Sequence, residues 1–214
     1  MNIFSGIITK ALEATIGLTG DWFLTIFLLT LTLKVLMFPL SLKQQRAMLA
    51  AQNLTKAKEA LTGKLGNQTE KVNAALARIV ARHRINPFFS LVVLLIQTPV
   101  FFSIYSSILH LSASVGTVVI PWAVSVSSPD NLHIIPAAAG LFQGIGAIIE
   151  KNILMIFVAG VVGVIFLWKA PVGLGVYWGV NAVLGLLEKW LYSVSYIRSK
   201  FLEVPSVDEL LSEV

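Results

Sequence analysis

Apolar residues fall along this chain in five long runs, and one extended polar stretch separates the first run from the other four. The first run, residues 22–42, is broken only by Lys34 and Pro39, and at about 1.5 Å per residue it is long enough to cross a hydrocarbon core of about 30 Å. Residues 88–111, 132–149, 153–168 and 172–192 form the later runs, carrying Gln97, Pro99, Pro136, Gln143 and Asn181 among their apolar residues. The pattern predicts an all-α, polytopic membrane protein with five transmembrane helices. The fourth run is short, about 24 Å as a helix, which calls for local bilayer thinning, snorkelling at its ends or a compensating tilt.

The polar stretch, residues 43–86, has its own periodicity. Ala47, Leu54 and Leu61 recur by sevens, and Val72, Leu76, Ile79 and Val80 mark a second apolar face, with Gly63, Gly66 and Asn67 between them. Two amphipathic helices joined by a glycine turn predict an antiparallel hairpin outside the membrane. Asn86 and Pro87 stop it. At the other end, Ile3, Phe4, Ile7, Ile8, Ala11, Leu12 and Ile16 recur at helical spacing, so residues 1–21 read as an amphipathic interfacial helix and linker. Gly17 to Asp21 mark either its boundary or a kink within one longer helix. Met1 to Thr9 lack lysine and arginine, which predicts no cleaved signal. Two turns, Glu150–Asn152 and Lys169–Pro171, separate the last three runs, and residues 193–214 are a polar tail.

Composition supports lipid as the solvent: 56% of the 214 residues are hydrophobic and 13% charged, too few charges to coat a soluble globule of this size. The net charge of +5 is localised, because nine of the 16 lysines and arginines lie between Lys43 and Arg84. Placing that stretch in the cytoplasm puts Lys151, Lys189, Arg198 and Lys200 on the same side and leaves Lys10 and Lys169 opposite. The positive-inside rule therefore predicts an outer N-terminus and a cytoplasmic C-terminus. There is no cysteine, which excludes disulfides and thiolate metal sites. His83, His110 and His133 are too scattered to form a metal site, and neither a nucleophile elbow nor a phosphate-binding glycine loop occurs. Neither an enzyme nor a cofactor is expected.

Lys34 is the residue that needs explaining, since a lysine near mid-span costs about 2.5–3.5 kcal/mol on insertion scales and normally faces protein or water. Thr30 and Ser41 share its helix face; Ser90, Gln97 and Tyr105 line a face of the second span, Gln143 marks the third, and Tyr177, Asn181, Glu188 and Tyr192 the fifth. Turned toward one another, these stripes would enclose a hydrophilic cavity. A structural reading stands beside it: amides as interhelical glue, and Lys34 paired with Glu188. Lys34 lies about 18 Å along its span and Glu188 about 24 Å along its own, so the difference of roughly 6 Å is within a lysine's reach. The basic hairpin would suit RNA or a ribosome on charge alone, but it lacks interleaved aromatics, and a solvated, lipid-facing surface explains it as well.

Three stretches in order, LKVLMFPLSLKQQ at 33–45, INPFFSLVVLLIQTPVFFSIY at 85–105 and PVGLGVYWGVNAVLGLLEKWL at 171–191, resemble the YidC/Oxa/Alb family of membrane protein insertases. The resemblance covers residues 22–192 and implies a protein that moves hydrophobic segments of newly made proteins from the cytoplasm into the bilayer, without nucleotide, through a hydrophilic groove. It implies nascent membrane proteins and lipid as partners, leaves room for the Sec translocon and the ribosome, and involves no specific nucleic acid. It further implies a bacterial inner-membrane location and a form without the large extracytoplasmic domain of Gram-negative relatives. By motif the family's groove arginine falls on Lys34, and its groove and contact positions fall on Thr30, Gln97, Phe101, Tyr177 and Trp178, with Gln143 placed by its position in the third span. Asn181 joins the set from the polar stripe. Lysine in place of arginine keeps the charge but loses the planar fork. The acidic tail, with Glu203, Asp208, Glu209 and Glu213, argues against ribosome capture by that segment. The alternatives are a small-solute or ion transporter using the same cavity, and a structural subunit of a membrane complex.

Overall fold

The computed structural model describes residues 3–66, 68–86, 89–110, 115–123, 125–149 and 156–212. The predicted stop at Pro87, the turn at Glu150 to Asn152 and Glu213 fall outside the described residues, as do the side chains of Ile3, Phe4, Ser90 and His110. The described chain is helical: α1 (Ile3–Thr19), α2 (Trp22–Leu65), α3 (Thr69–His83), α4 (Phe89–His110), α5 (Ile134–Ile149), a π-helical segment (Ile156–Val162) running into α6 (Gly163–Leu167), α7 (Val172–Ser193), α8 (Ser195–Phe201) and α9 (Val207–Leu211). One isolated bridge, between Pro129 and Pro171, is the only β pairing among the described residues.

Helix α2 is a difference from the sequence pattern. The first apolar run and the first half of the polar stretch form one unbroken helix of 44 residues with Pro39 inside it. Proline removes one backbone donor and crowds the carbonyl of the preceding turn, a cost of about 3 kcal/mol that this helix carries without breaking. The separation of α1 from α2 is settled at Gly20, whose φ of +61° is a left-handed conformation that ends α1.

The chain divides into two compact units, one of residues 1–36 and 97–190, the other of residues 37–96 and 191–214. In the first, Ile8 and Leu12 of α1 are buried with Trp22 and Ile26 of α2, Ile104 and Ile108 of α4, Ile120 and Val126 of the following connection, and Val172 and Val176 of α7. Helix α1 thus turns Ile8 and Leu12 toward protein and leaves Ile7 exposed. The hydroxyls of Thr9 and Ser107 add a 2.9 Å hydrogen bond to this packing.

The connection before α5 is tied down by two buried carboxylates. Asp21 Oδ1 accepts the backbone N–H of Phe23 and Leu24, capping α2, while Oδ2 accepts the Thr117 hydroxyl and the Val118 N–H. Asp130 does the same for α5: Oδ1 accepts from Trp122 Nε1 and the Leu132 N–H, and Oδ2 from the Ile135 N–H. Each carboxylate supplies acceptors for helix N–H groups that have no intrahelical partner, and favours the positive end of the helix dipole. The connection also meets the start of α7, where the Gly173 N–H donates to the Val126 carbonyl at 3.0 Å. A Cβ on Gly173 would come within 2.6 Å of Val126 Cγ2 and 3.1 Å of that carbonyl, so only glycine permits this approach.

The fourth run is π-helical over Ile156–Val162, a pattern wider and shorter than the plain α-helix predicted. Gly160 lies there against Gly140 of α5, and a Cβ on Gly140 would meet the Gly160 carbonyl at 2.9 Å as well as Val164. Two facing glycines let the backbones touch.

In the second unit, Ala50, Ala57 and Leu61 of α2 are buried with Val72, Ala75 and Ile79 of α3, and Leu54, Leu65 and Leu76 pack around them. Positions 50, 54, 57 and 61 alternate by four and three, the spacing of a helix–helix seam. Counting by sevens from Ala47 found only the leucine half of it. All nine basic residues of this stretch are exposed.

The C-terminal tail is folded, which its polarity did not suggest. Leu202 and Leu210 are buried, and Leu210 belongs to the same cluster as Ala50 and Ile79, flanked by Val204, Val207 and Leu211. The Ser206 hydroxyl caps α9 by accepting the Glu209 N–H, and Asn53 Nδ2 donates to the Pro205 carbonyl at 2.9 Å. Asp208 and Glu209 are exposed, so the acidic side of the tail faces water and its leucine side faces the helices. Leu210→Ala should lower stability by about 2–4 kcal/mol, as for other enclosed leucines. A fall in Tm of the detergent-solubilised protein, with faster proteolytic nicking of the tail, is the expected readout.

Candidate functional site

Lys34 occupies the middle of the apolar part of α2, where Val35 and Leu36 beside it are exposed. Its Nζ donates to Glu188 Oε2 of α7 at 2.9 Å, across 154 residues of sequence. The side chains retain 22% and 15% of their accessible surface, so the pair is neither sealed nor free. Glu188 Oε1 is buried and has no hydrogen-bond partner among the described residues. One turn earlier on α7 is Gly185, where a Cβ would sit 4.0 Å from Lys34 Nζ; bare backbone flanks the ammonium on that side.

The remaining candidates fall into three groups. Phe101 of α4 meets Trp178 edge-on at 5.7 Å between centroids and Tyr177 at 6.3 Å, while Phe166 of α6 lies 5.9 Å from Trp178. These rings adjoin Ala139, Leu167 and Leu174, so three of the residues assigned by motif form one aromatic cluster. Thr30 is buried, and its hydroxyl is spent on the Ile26 carbonyl of its own helix at 2.7 Å. Gln97 is exposed, and Gln143 and Asn181 are half-buried. Asn181 and Tyr177, seven and eleven residues before Glu188 on α7, lie on its helix face.

Sequence reasoning passed over two features of this region. Lys189, beside Glu188, donates to the Gly146 carbonyl of α5 at 2.8 Å and ties the last turns of two helices together. The ring of His133 stacks on Trp168 at 4.0 Å. Lys189 had entered only as a topological charge, and a stacked histidine leaves no spacing signal.

The apolar part of α2 is long and apolar enough to cross a bilayer, and only 17% of its most apolar window is buried, unlike the core helix of a soluble protein. Leu95, Phe102, Leu141 and Ile165 on other helices are exposed too. Such uncovered apolar surface beside a lysine–carboxylate pair is what lipid-facing helices present.

The sequence model of the family described as 60Kd inner membrane protein matches residues 14–199. The chain belongs to that family. Its relatives include proteins named membrane protein insertase YidC: that of Anaeromyxobacter sp. (strain Fw109-5) is 29% identical over 180 residues, which is 80% of this chain and 32% of the relative. The protein of Bordetella pertussis is 30% identical over 182 residues, 81% of this chain and 32% of its own length. That of Magnetococcus marinus is 29% identical over 211 residues, 93% and 36% respectively. The chain thus spans about a third of the length of the curated relatives it matches.

Proposed function

We propose that this chain is a membrane protein insertase, accepting hydrophobic segments of newly made proteins from the cytoplasm and releasing them into lipid. The observation that carries the reading is the partly exposed Lys34–Glu188 pair in the middle of an apolar helix, within the region matched to the 60Kd inner membrane protein family. In this reading α2 up to residue 42, α4, α5, the 153–168 segment and α7 span the membrane. The N-terminus lies outside and the C-terminus in the cytoplasm, where α3 and the distal part of α2 form a basic hairpin. The nine exposed lysines and arginines there meet anionic headgroups or an incoming chain. Lys34, Thr30, Gln97, Gln143 and Asn181 line a hydrophilic groove that takes the cargo's polar, often acidic end, and Phe101, Tyr177 and Trp178 supply the apolar wall along which its helix passes. Energy comes from removing that helix from water, about 25 cal/mol per Å² of apolar surface. No cofactor is involved. The Sec translocon and the ribosome are candidate partners.

The purified chain, reconstituted in liposomes and given a single-span cargo, should yield a protease-protected cargo fragment. Solute flux without protected cargo would instead establish the transporter reading.

A further inference from the structure

We propose that Glu188 is the resident counter-ion of the groove lysine, the carboxylate that an acidic cargo end must displace, and therefore the residue that sets how the groove discriminates among cargo charges. The inference rests on the insertase reading. Three observations carry it. The pair is made through one oxygen, Lys34 Nζ to Glu188 Oε2 at 2.9 Å, while Oε1 is buried without a partner among the described residues. A pair that served only to hold two helices together would be expected to satisfy both oxygens, because a buried polar atom left without a bond carries a desolvation cost with nothing to offset it. Neither side chain is fully enclosed by protein, so a second carboxylate can approach without the helices parting. Finally, Gly185 leaves backbone and no side chain on one flank of the ammonium, which is the space an incoming carboxylate needs.

The exchange replaces one carboxylate partner of the ammonium with another. In the resting protein Lys34 and Glu188 cancel, so the groove has little long-range pull on anions and the hydrated cargo carboxylate is drawn in only at contact distance. On binding, the ammonium keeps one carboxylate partner throughout, first Glu188 and then the cargo, and Glu188 turns to water. The resident carboxylate thereby lowers affinity for acidic ends and lets the cargo leave again, since Glu188 can retake the lysine. A lysine is suited to this: its compact ammonium has three rotatable donors and can pass from one acceptor to the next.

The test uses the full chain in liposomes and two single-span cargoes that differ only in whether the translocated end carries aspartates or asparagines. Glu188→Gln keeps the shape and an acceptor but removes the competing charge; it should raise the ratio of acidic to neutral cargo inserted by about threefold, the scale of a partly screened ion pair. Glu188→Asp keeps the charge but withdraws it by one methylene, and should give a ratio between those of wild type and Glu188→Gln. If both variants reduce the two cargoes in parallel and leave the ratio at its wild-type value, Glu188 is a structural partner only and the proposal fails while the insertase reading stands. If the wild-type chain protects neither cargo, the insertase reading itself fails and the proposal falls with it.

Discussion

Lys34→Ala should abolish most insertion of cargo whose translocated end is acidic, by about tenfold or more, and reduce insertion of neutral-ended cargo much less; Lys34→Arg should insert both at near wild-type levels. The asymmetry follows from what the lysine does in each case. With an acidic end, its ammonium supplies the positive charge of the α2–α7 ion pair, and without it a carboxylate must shed water against apolar helices. With a neutral end there is less to lose. The alanine variant also leaves Glu188, already short of one partner, with none, so its Tm should fall as well. A second substitution separates the two effects: Lys34→Ala combined with Glu188→Gln removes the stranded charge and should restore Tm without restoring acidic cargo. Recovery of insertion together with Tm would mean that the pair acts through the fold alone.

How far the sequence foretold this arrangement depends on the physics behind each signal. Lys34 stood out because hydrocarbon tolerates few charges, and its partner could be named because span register at 1.5 Å per residue fixes depth closely enough for a flexible side chain to close the difference. Phe101, Tyr177 and Trp178 came from motif resemblance, and no periodicity would have shown that the three rings meet. The approximate limits of helices α4, α5 and α7 were legible from hydropathy, whereas the π-helical segment at Ile156–Val162 was not, since hydropathy marks an apolar run and not its hydrogen-bond pattern. The tail misled for the opposite reason. Its four acidic residues dominate the composition, but Val204, Val207, Leu210 and Leu211 give it an apolar side, and this side joins the cluster that holds Ala50 and Ala57. Alanines at those positions matter because they leave room for it, and a small residue announces no partner in sequence. Asp21 had a readable signal that went unused: an aspartate immediately before the first residue of a helix is an N-cap. Its second half, the grip on Thr117 and Val118, joins residues nearly a hundred positions apart and could only be seen folded.

That grip gives Asp21→Asn a large expected cost to the fold. All four of the carboxylate's contacts come from donors: the N–H groups of Phe23 and Leu24 on one oxygen, the Thr117 hydroxyl and the Val118 N–H on the other. An asparagine must point its NH₂ at one of these donor pairs, leaving the pair unsatisfied at a site where the residue is 6% exposed. Hydrogen bonds to a charged group contribute about 1.5–3 kcal/mol each, so a loss of about 2–4 kcal/mol is expected after rearrangement. Burial on its own would raise the carboxyl's pKa, but the bonds from Val118, Leu24, Thr117 and Phe23 together outweigh it and hold the group below its ordinary value. The depressed native value fixes the sign of the pH dependence: the stabilisation is complete above the ordinary carboxyl value and is lost as pH falls through the native one. The gap in Tm between wild type and Asp21→Asn should therefore be full near neutrality and narrow in acid. A gap that stays constant down to strongly acidic pH would show that the cap's shape, and not its charge, holds the connection to α2.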